Sequence, residues 1–155
     1  MFVGAGQQHV ASSYDAAAAE VRLRDALEAN GQRVTEQRAA VYRTLLNTRL
    51  HPTADEVFTA VRSEIPDISL ATVYKALEAL VGCGLATKLT YGDGSARYDG
   101  RTDPHHHARC LTCDTVVDVP GRLAPSVWAQ LGPVPGFSVS GYRLELTGQC
   151  ERCAG

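Results

Sequence analysis

Residues 66–99 read PDISLATVYKALEALVGCGLATKLTYGDGSARYD and predict one helix followed by a β-hairpin. Ser69 is typical of a helix N-cap and Gly84 of a helix end, so we expect a helix over 70–82. Strands over 85–91 and 96–99 would flank a Gly-Asp-Gly turn. The core face of the helix would consist of apolar residues at helical spacing: Leu70, Val73, Leu77 and Leu80.

Three further helices are predicted upstream of this segment, over about 18–30, over 36–47 behind a Thr35 N-cap, and from Thr53 to Pro66. Thr53-Ala-Asp-Glu56 has the pattern of a capping box. Two helices joined by a three-residue turn are typical of a helix-turn-helix. Followed directly by a hairpin, they predict a winged helix-turn-helix over residues 19–99, after a flexible tail of residues 1–18.

The polar segment 100–104 contains helix and strand breakers and is predicted to be a hinge. Beyond it, residues 105–155 would form a small α/β domain. We expect strands over about 106–110, 115–119 and 137–147, with a β-bulge at Ser140-Gly141 and one helix over 122–131. The predicted fold class is therefore α+β.

Composition places the chain among globular proteins. Its 155 residues are 45% hydrophobic and 21% charged, with a net charge of −2. No apolar run approaches the ~20 residues of a membrane span, and the N-terminus lacks the basic region of a secretory signal, so we expect a cytoplasmic protein without a membrane partner. Basic residues do not outnumber acidic ones over 1–91, so net charge neither favours nor excludes binding to DNA.

Four of the five cysteines form two CxxC pairs, Cys110/Cys113 and Cys150/Cys153. Two such pairs can bring four thiolates around one zinc ion, and the position of the second pair near the C-terminus favours a structural role. The alternatives are unpaired buried cysteines or redox chemistry. Redox chemistry is disfavoured because neither pair opens a helix in a βαβ unit.

A second group of ligand residues comprises Asp99, His105, His107 and Asp118, with His51 far upstream. In an extended segment His105 and His107 point to the same side. Imidazoles and carboxylates suit Fe²⁺, Mn²⁺ or Zn²⁺. From the residues alone, a surface histidine cluster, solvated aspartates and a turn histidine at position 51 remain open.

Several motifs together resemble one family. They are the segments 33–38 (RVTEQR), 51–58 (HPTADEVF), 69–74 (SLATVY) and 103–107 (DPHHH), and the two CxxC pairs in that order. Over about residues 23–153 the chain resembles the Fur family of metal-dependent transcriptional repressors. It is most similar to the peroxide-sensing PerR branch, because Asp118 stands where the iron regulators usually carry Glu.

The resemblance implies a structural zinc at the four paired cysteines and a regulatory site for Fe²⁺ or Mn²⁺ formed by His51, Asp99, His105, His107 and Asp118. It also implies that peroxide, reacting at bound Fe²⁺, oxidises His51 or His105 to 2-oxo-histidine, after which the metal and the DNA are released. This oxidation is stoichiometric, so the protein is expected not to be an enzyme.

The family further implies a homodimer that binds an inverted-repeat operator in double-stranded DNA. The expected recognition helix is 70–82, with Tyr74 as the first candidate for a base contact. Candidate DNA-binding residues are Tyr74, Lys75, Thr72, Ala71, Arg38, Arg33 and Lys88.

Three other functions are compatible with parts of the sequence. A metal-uptake regulator responding to Fe, Mn or Zn without peroxide sensing would use most of the same ligands. A zinc enzyme could use His105 and His107 with Asp99 or Asp118 as base, but leaves the helix-turn-helix without a role. A structural zinc-binding interaction module leaves the His/Asp group unexplained.

Overall fold

The computed structural model of the protein describes residues 15–92, 94–124 and 126–155. Within them the predicted α+β class is confirmed, and no helix is long and apolar enough to cross a membrane. The elements in chain order are α1 (Ala16–Ala29), α2 (Glu36–Asn47), α3 (Ala54–Val61), α4 (Leu70–Gly82), β1 (Thr87–Leu89), β2 (Arg97–Asp99), β3 (His106–Cys110), β4 (Val116–Val119), α5 (Ser126–Ala129), β5 (Glu145–Gly148) and α6 (Glu151–Ala154).

Side-chain caps begin α2, α3 and α4 where the sequence predicts them. The hydroxyls of Thr35, Thr53 and Ser69 each accept a hydrogen bond from the backbone N–H three residues on. At α3 the Glu56 carboxylate returns the bond, accepting from the Thr53 N–H at 2.7 Å. These local bonds satisfy N–H groups that a helix leaves unpaired, which is why short-range sequence patterns predicted these helix starts correctly.

The main core lies among α1–α4 and the β1–β2 hairpin. Leu23, Leu27, Leu77 and Leu80 are buried there, and Tyr98 of β2 joins them. The hairpin is antiparallel, with Lys88 opposite Tyr98. The apolar stripes of the helices thus converge on one cluster, and the hairpin is attached to it through β2.

The C-terminal residues form a separate three-stranded sheet in the order β4-β3-β5. Strand β3 is antiparallel to β4 and parallel to β5, so that His107 lies opposite both Asp118 and Glu145. A small second cluster, Leu89, Tyr91 and Val116, packs the hairpin side of the molecule against β4.

Two predicted boundaries near the N-terminus are corrected. Helix α1 starts at Ala16 because the Asp15 carboxylate accepts from the N–H groups of the next turn, so residues 16–18 are helical and not tail. Residues 1–14 of the predicted tail lie outside the described residues. Helix α3 ends at Val61 and not at Pro66, because the backbone continues in tighter turns, in which the N–H groups of Ser63 and Glu64 each donate to the carbonyl three residues before.

Two predictions in the C-terminal half were wrong. The helix predicted over 122–131 is only Ser126–Ala129. A proline at position 125 disfavours helix in the residues before it, and Gly132-Pro133 disfavour its continuation. The strand over 137–147 is only Glu145–Gly148. Its parallel partner β3 begins at His106, so in this register residues before 144 have no β3 backbone to pair with, and the predicted bulge at 140–141 lies outside any strand.

Gly100 lets the chain pass close to α2 between the two halves. A Cβ at Gly100 would lie 3.1–3.2 Å from the Cβ, carbonyl carbon and carbonyl oxygen of Leu45. Two of those atoms are helix backbone and cannot rotate away. The absence of a side chain therefore fixes where Asp99 and Arg101, its two neighbours, are held.

We predict that Gly100→Ala lowers the free energy of unfolding by about 1–3 kcal/mol, the usual cost of overpacking. Gly141→Ala is the matched control, because no atom lies within 4 Å of its added Cβ and its φ is also negative. Its effect should stay within about 0.5 kcal/mol. Urea denaturation of both variants measures the difference, and a Gly100→Ala protein as stable as the wild type would contradict this account.

Candidate metal centres and nucleic-acid face

Four thiols converge at one end of the C-terminal sheet. Cys110 ends β3, and Cys113 lies in the turn that follows, where Asp114 has a left-handed φ of 57°. Because β3 and β5 are paired in parallel up to Gly148, Cys150 arrives beside Cys110, and the short α6 presents Cys153. The four Sγ atoms all lie within 4.8 Å of one another.

The distances and charges of this thiol cluster fit a thiophilic divalent ion. Tetrahedral zinc–sulfur bonds of about 2.3 Å would place the sulfurs about 3.8 Å apart, and the Cys113 and Cys150 Sγ atoms are 3.7 Å apart. Backbone N–H donors, the Cys150 N–H first, lower the pKa of Cys110 to about 6, whereas hydrogen bonding to Cys113 and Cys150 raises the pKa of Cys153 to about 12. Four thiolates therefore need a cation among them.

The predicted His/Asp residues form a second cluster at the junction of the two halves. His51 precedes α3, Asp99 ends β2, His105 and His107 lie at the start of β3, and Asp118 is in β4. One ligand atom of each lies within 4.8 Å of the others. The side chains of the three histidines and of Asp99 are largely buried, while that of Asp118 is partly exposed.

The two carboxylates face the imidazoles. Asp118 Oδ1 is 2.7 Å from His51 Nε2, 3.1 Å from His105 Nε2 and 3.6 Å from His107 Nε2. Asp99 Oδ2 is 2.9 Å from His105 Nε2 and 3.2 Å from His107 Nε2. His51 comes from the helical half and the other histidines from the C-terminal half, so the cluster joins them.

The ionisation of the cluster suits metal binding. Burial lowers the pKa of His51, against the opposing effect of the Asp99 and Asp118 carboxylates. Burial alone would raise the pKa of Asp99, but the hydrogen bond from His107, the charge of His51 and the Arg101 backbone N–H lower it overall. A neutral imidazole beside an ionised carboxylate is the protonation state that a metal ion requires.

The tautomer of His105 provides a test of fit. Its Nδ1 lies 2.6 Å from the Asp103 carbonyl oxygen, which can only accept, so Nδ1 carries the hydrogen. In the neutral ring the Nε2 lone pair then faces carboxylate oxygens of Asp99 and Asp118. A cation placed between them removes this repulsion, and the carbonyl fixes the ring as outer-shell partners of metal-binding histidines do.

Sequence reasoning missed two arginines beside the cluster. Arg97 donates to the His51 carbonyl oxygen at 2.8 Å and pairs with Glu56 at 3.3 Å, holding His51 against β2. Arg101, in the segment treated only as a hinge, contacts Asp99, Asp103 and Asp118. The Arg97 contacts and the Arg101 contact with Asp118 join residues distant in sequence, so a local pattern could not reveal them.

The predicted DNA-binding residues lie mainly along one face. Arg33, Arg38, Thr72 and Lys75 line one open groove between the start of α2 and the side of α4. Tyr74 is exposed on α4 and Ala71 is exposed one turn before Lys75. This arrangement leaves polar, basic and aromatic groups of α4 at the surface while its other face is buried.

Lys88 lies in the β1–β2 hairpin, away from the groove. Its ammonium group pairs with Glu78 of α4 at 2.8 Å and lies 6.0 Å from the Tyr98 ring centroid. Tyr98 donates to the same Glu78 carboxylate at 3.1 Å. Lys88 therefore ties the hairpin to α4 and does not line the groove.

Comparison with known proteins agrees with these motifs. The ferric uptake regulator family model matches residues 29–147. The chain belongs to the ferric uptake regulator family. It is 41% identical to the peroxide operon regulator of Bacillus subtilis strain 168, over 85% of this chain and 93% of that protein. It is 38% identical to the peroxide-responsive repressor PerR of Staphylococcus epidermidis strain ATCC 12228, over 79% of this chain and 82% of that one.

A solved family member has the same fold. A zinc-bound manganese uptake regulator superposes on this chain with a TM-score of 0.66 and 27% sequence identity, covering 83% of this chain and 98% of that one. The manganese uptake regulator thus shares the α+β fold of this chain over nearly its whole length.

Proposed function

We propose that this chain is a metal-dependent DNA-binding transcriptional repressor that senses peroxide through Fe²⁺-dependent oxidation of a ligand histidine. The observation that carries the proposal is the convergence of His51, Asp99, His105, His107 and Asp118 at the junction of the two halves. Similarity to two relatives named for their response to peroxide, at 41% and 38% identity, supports the sensing role.

In this proposal the two halves have separate tasks. The helical half extends from the start of α1 at Ala16 to residue 99 and is a winged helix-turn-helix that binds DNA. Residues 100–104 are the hinge. Residues 105–155 form the dimerisation and metal-binding domain. Exposed apolar side chains there, including Leu131, Phe137 and Val139, are 63–68% exposed and suit an interface with a second copy.

The thiol cluster would hold a structural Zn²⁺, because four thiolates in tetrahedral array are a typical zinc site. The His/Asp cluster would hold Fe²⁺ or Mn²⁺, since its mixed nitrogen and carboxylate donors suit those ions. Both sites rest on chemistry of this chain's donor sets, and solved family members with bound zinc support the zinc assignment.

The chemistry that bound Fe²⁺ supplies is the reduction of hydrogen peroxide. The net change is insertion of one peroxide oxygen at C2 of the imidazole of His51 or His105, with the second oxygen leaving as water. The C2 hydrogen ends on the oxidised ring as a tautomeric proton. The modified ring is a poorer donor, so His51 would no longer link the helical half to Asp118, from which it is now 2.7 Å away.

Loss of that link would change the angle between the two DNA-binding halves of a homodimer. Two half-sites of an inverted repeat lie at a fixed spacing, so only one orientation contacts both. Metal binding favours that orientation, because the metal ion has a higher affinity for it than for the others. Each oxidation inactivates one regulator molecule, so the protein acts as a switch and not as an enzyme. We place this switch in the cytoplasm, where its operator DNA lies.

Peptide mass spectrometry tests peroxide sensing. Zinc-replete protein is loaded with Fe²⁺ without oxygen, treated with an equimolar amount of hydrogen peroxide and digested. We expect one added oxygen on the peptides containing His51 or His105, and none when Mn²⁺ replaces Fe²⁺. Unmodified histidines in protein that demonstrably holds Fe²⁺ would instead favour a metal-uptake regulator, a function supported by the manganese uptake regulator of like fold.

Selection of duplexes from a random DNA pool tests operator binding. With Mn²⁺ bound we expect an inverted repeat to be enriched, and Tyr74→Ala to weaken its binding by about 1–3 kcal/mol, or roughly 5–150-fold, as for loss of a base contact. Val21→Ala, exposed on α1, is the control and should bind as the wild type. Equal binding with and without Mn²⁺ would contradict metal-dependent repression.

Metal analysis tests the thiol cluster. Cys113→Ser should reduce bound zinc from about one ion per chain to near zero, because three thiolates and a hydroxyl bind zinc more weakly than four thiolates. Cys83 lies outside the cluster, so Cys83→Ser is the matched control and should keep its zinc. Zinc retained in the first variant, or lost from the second, would refute the assignment.

A further inference from the structure

Arg101 is bonded to three acidic residues around the His/Asp cluster. Its backbone N–H donates to Asp99 Oδ1 at 2.7 Å. Its guanidinium Nη1 donates to Asp118 Oδ2 at 3.2 Å, and Nε and Nη2 each donate to the Asp103 carboxylate at 2.7 Å. One residue thus contacts both carboxylates of the cluster and the segment between them.

In each carboxylate one oxygen contacts Arg101 and the other faces the histidines. The oxygens held by Arg101 are Asp99 Oδ1 and Asp118 Oδ2, whereas Asp99 Oδ2 and Asp118 Oδ1 make the close approaches to the imidazole Nε2 atoms. With one oxygen of each carboxylate engaged, the other is turned toward the histidines. Both aspartates are therefore arranged to offer a single oxygen each.

The third contact acts on His105. The planar fork of Arg101 holds Asp103 in a two-bond pair, and the Asp103 carbonyl accepts from His105 Nδ1 at 2.6 Å. That bond sets the tautomer in which Nε2 is available as a donor to a metal. Arg101 is thus connected to three of the five cluster residues: Asp99, Asp118 and His105.

We propose that the Arg101 side chain is a positioning group that orients Asp118 and, through Asp103, His105, and so sets the affinity of the cluster for Mn²⁺ or Fe²⁺. The backbone N–H of residue 101, which holds Asp99, is kept in every substitution. The inference rests on the proposed metal-binding function of the cluster. The direction in which metal affinity changes when Arg101 is replaced distinguishes positioning from a simple charge effect. A positive guanidinium near a cation site disfavours the cation by Coulomb repulsion, so removing it would tighten binding if charge alone mattered. Positioning predicts weaker binding.

Arg101 can be changed without losing the fold. Its side chain is half exposed, and ion pairs at that exposure contribute little to stability. A change in metal affinity with an unchanged melting temperature therefore reports on the cluster and not on unfolding.

The experiment is a Mn²⁺ titration of zinc-replete protein against a fluorescent chelator, with melting temperature recorded for every variant. We expect Arg101→Ala to bind Mn²⁺ roughly 10–100-fold more weakly, the usual effect of removing an outer-shell partner. Arg101→Lys, which keeps the charge and loses the planar fork, should also bind more weakly, but less so. Arg22→Ala removes the same charge from exposed α1 and should bind as the wild type.

Mn²⁺ binding by Arg101→Ala that equals or exceeds that of the wild type would overturn the inference. If the alanine variant does not fold, Arg101→Lys decides the question, and wild-type affinity in it is the overturning result. His107→Ala separates this failure from failure of the proposed function. Equal Mn²⁺ binding by wild type and His107→Ala would mean that the cluster is not the metal site at all.

Discussion

The buried carboxylate of Asp99 is the constraint on which the junction of the two halves depends. Only 3% of the residue is exposed, and a carboxylate removed from water must be hydrogen-bonded and matched in charge. Asp99 Oδ1 accepts from the Arg101 N–H, Asp99 Oδ2 lies 2.9 and 3.2 Å from Nε2 of His105 and His107 at the start of β3, and Asp99 Oδ1 lies 3.6 Å from His51 Nδ1 before α3. These partners belong to three chain segments, so burying one charge brings them to one place.

A second contact between the halves does not involve this cluster. Tyr91, after β1, is buried with Val116 of β4, and the Arg143 guanidinium lies 4.9 Å from the Tyr91 ring centroid while donating to the Thr90 carbonyl at 3.0 Å. Apolar burial and a cation–π contact survive changes at the metal ligands. This contact therefore joins the two halves independently of the cluster.

The sequence predicted what depends on neighbouring residues. The caps at Thr35, Thr53 and Ser69 are local, and they were correct. The stripe of α4 was correct for Val73, Leu77 and Leu80 but wrong for Leu70, which is only half-buried and lies outside the core cluster. The strand over 137–144 was wrong because pairing depends on where β3 begins, which lies far away in sequence. The five cluster residues were named through family motifs. Arg101 was missed because an arginine in a polar segment gains its role only where separate aspartates meet.

Access to the cluster is uneven, which bears on which histidine would react. The Asp118 side chain is 34% exposed, whereas those of His51 and His105 are 7% exposed, so a small uncharged oxidant would enter beside Asp118. His51 and His105 place Nε2 at 2.7 and 3.1 Å from Asp118 Oδ1, and His107 at 3.6 Å. The imidazoles of His51 and His105 are thus nearest to the exposed carboxylate, while the His107 side chain is itself 11% exposed. Oxidation of His51 would have the larger effect on the junction, because it is the single imidazole of the cluster that belongs to the helical half.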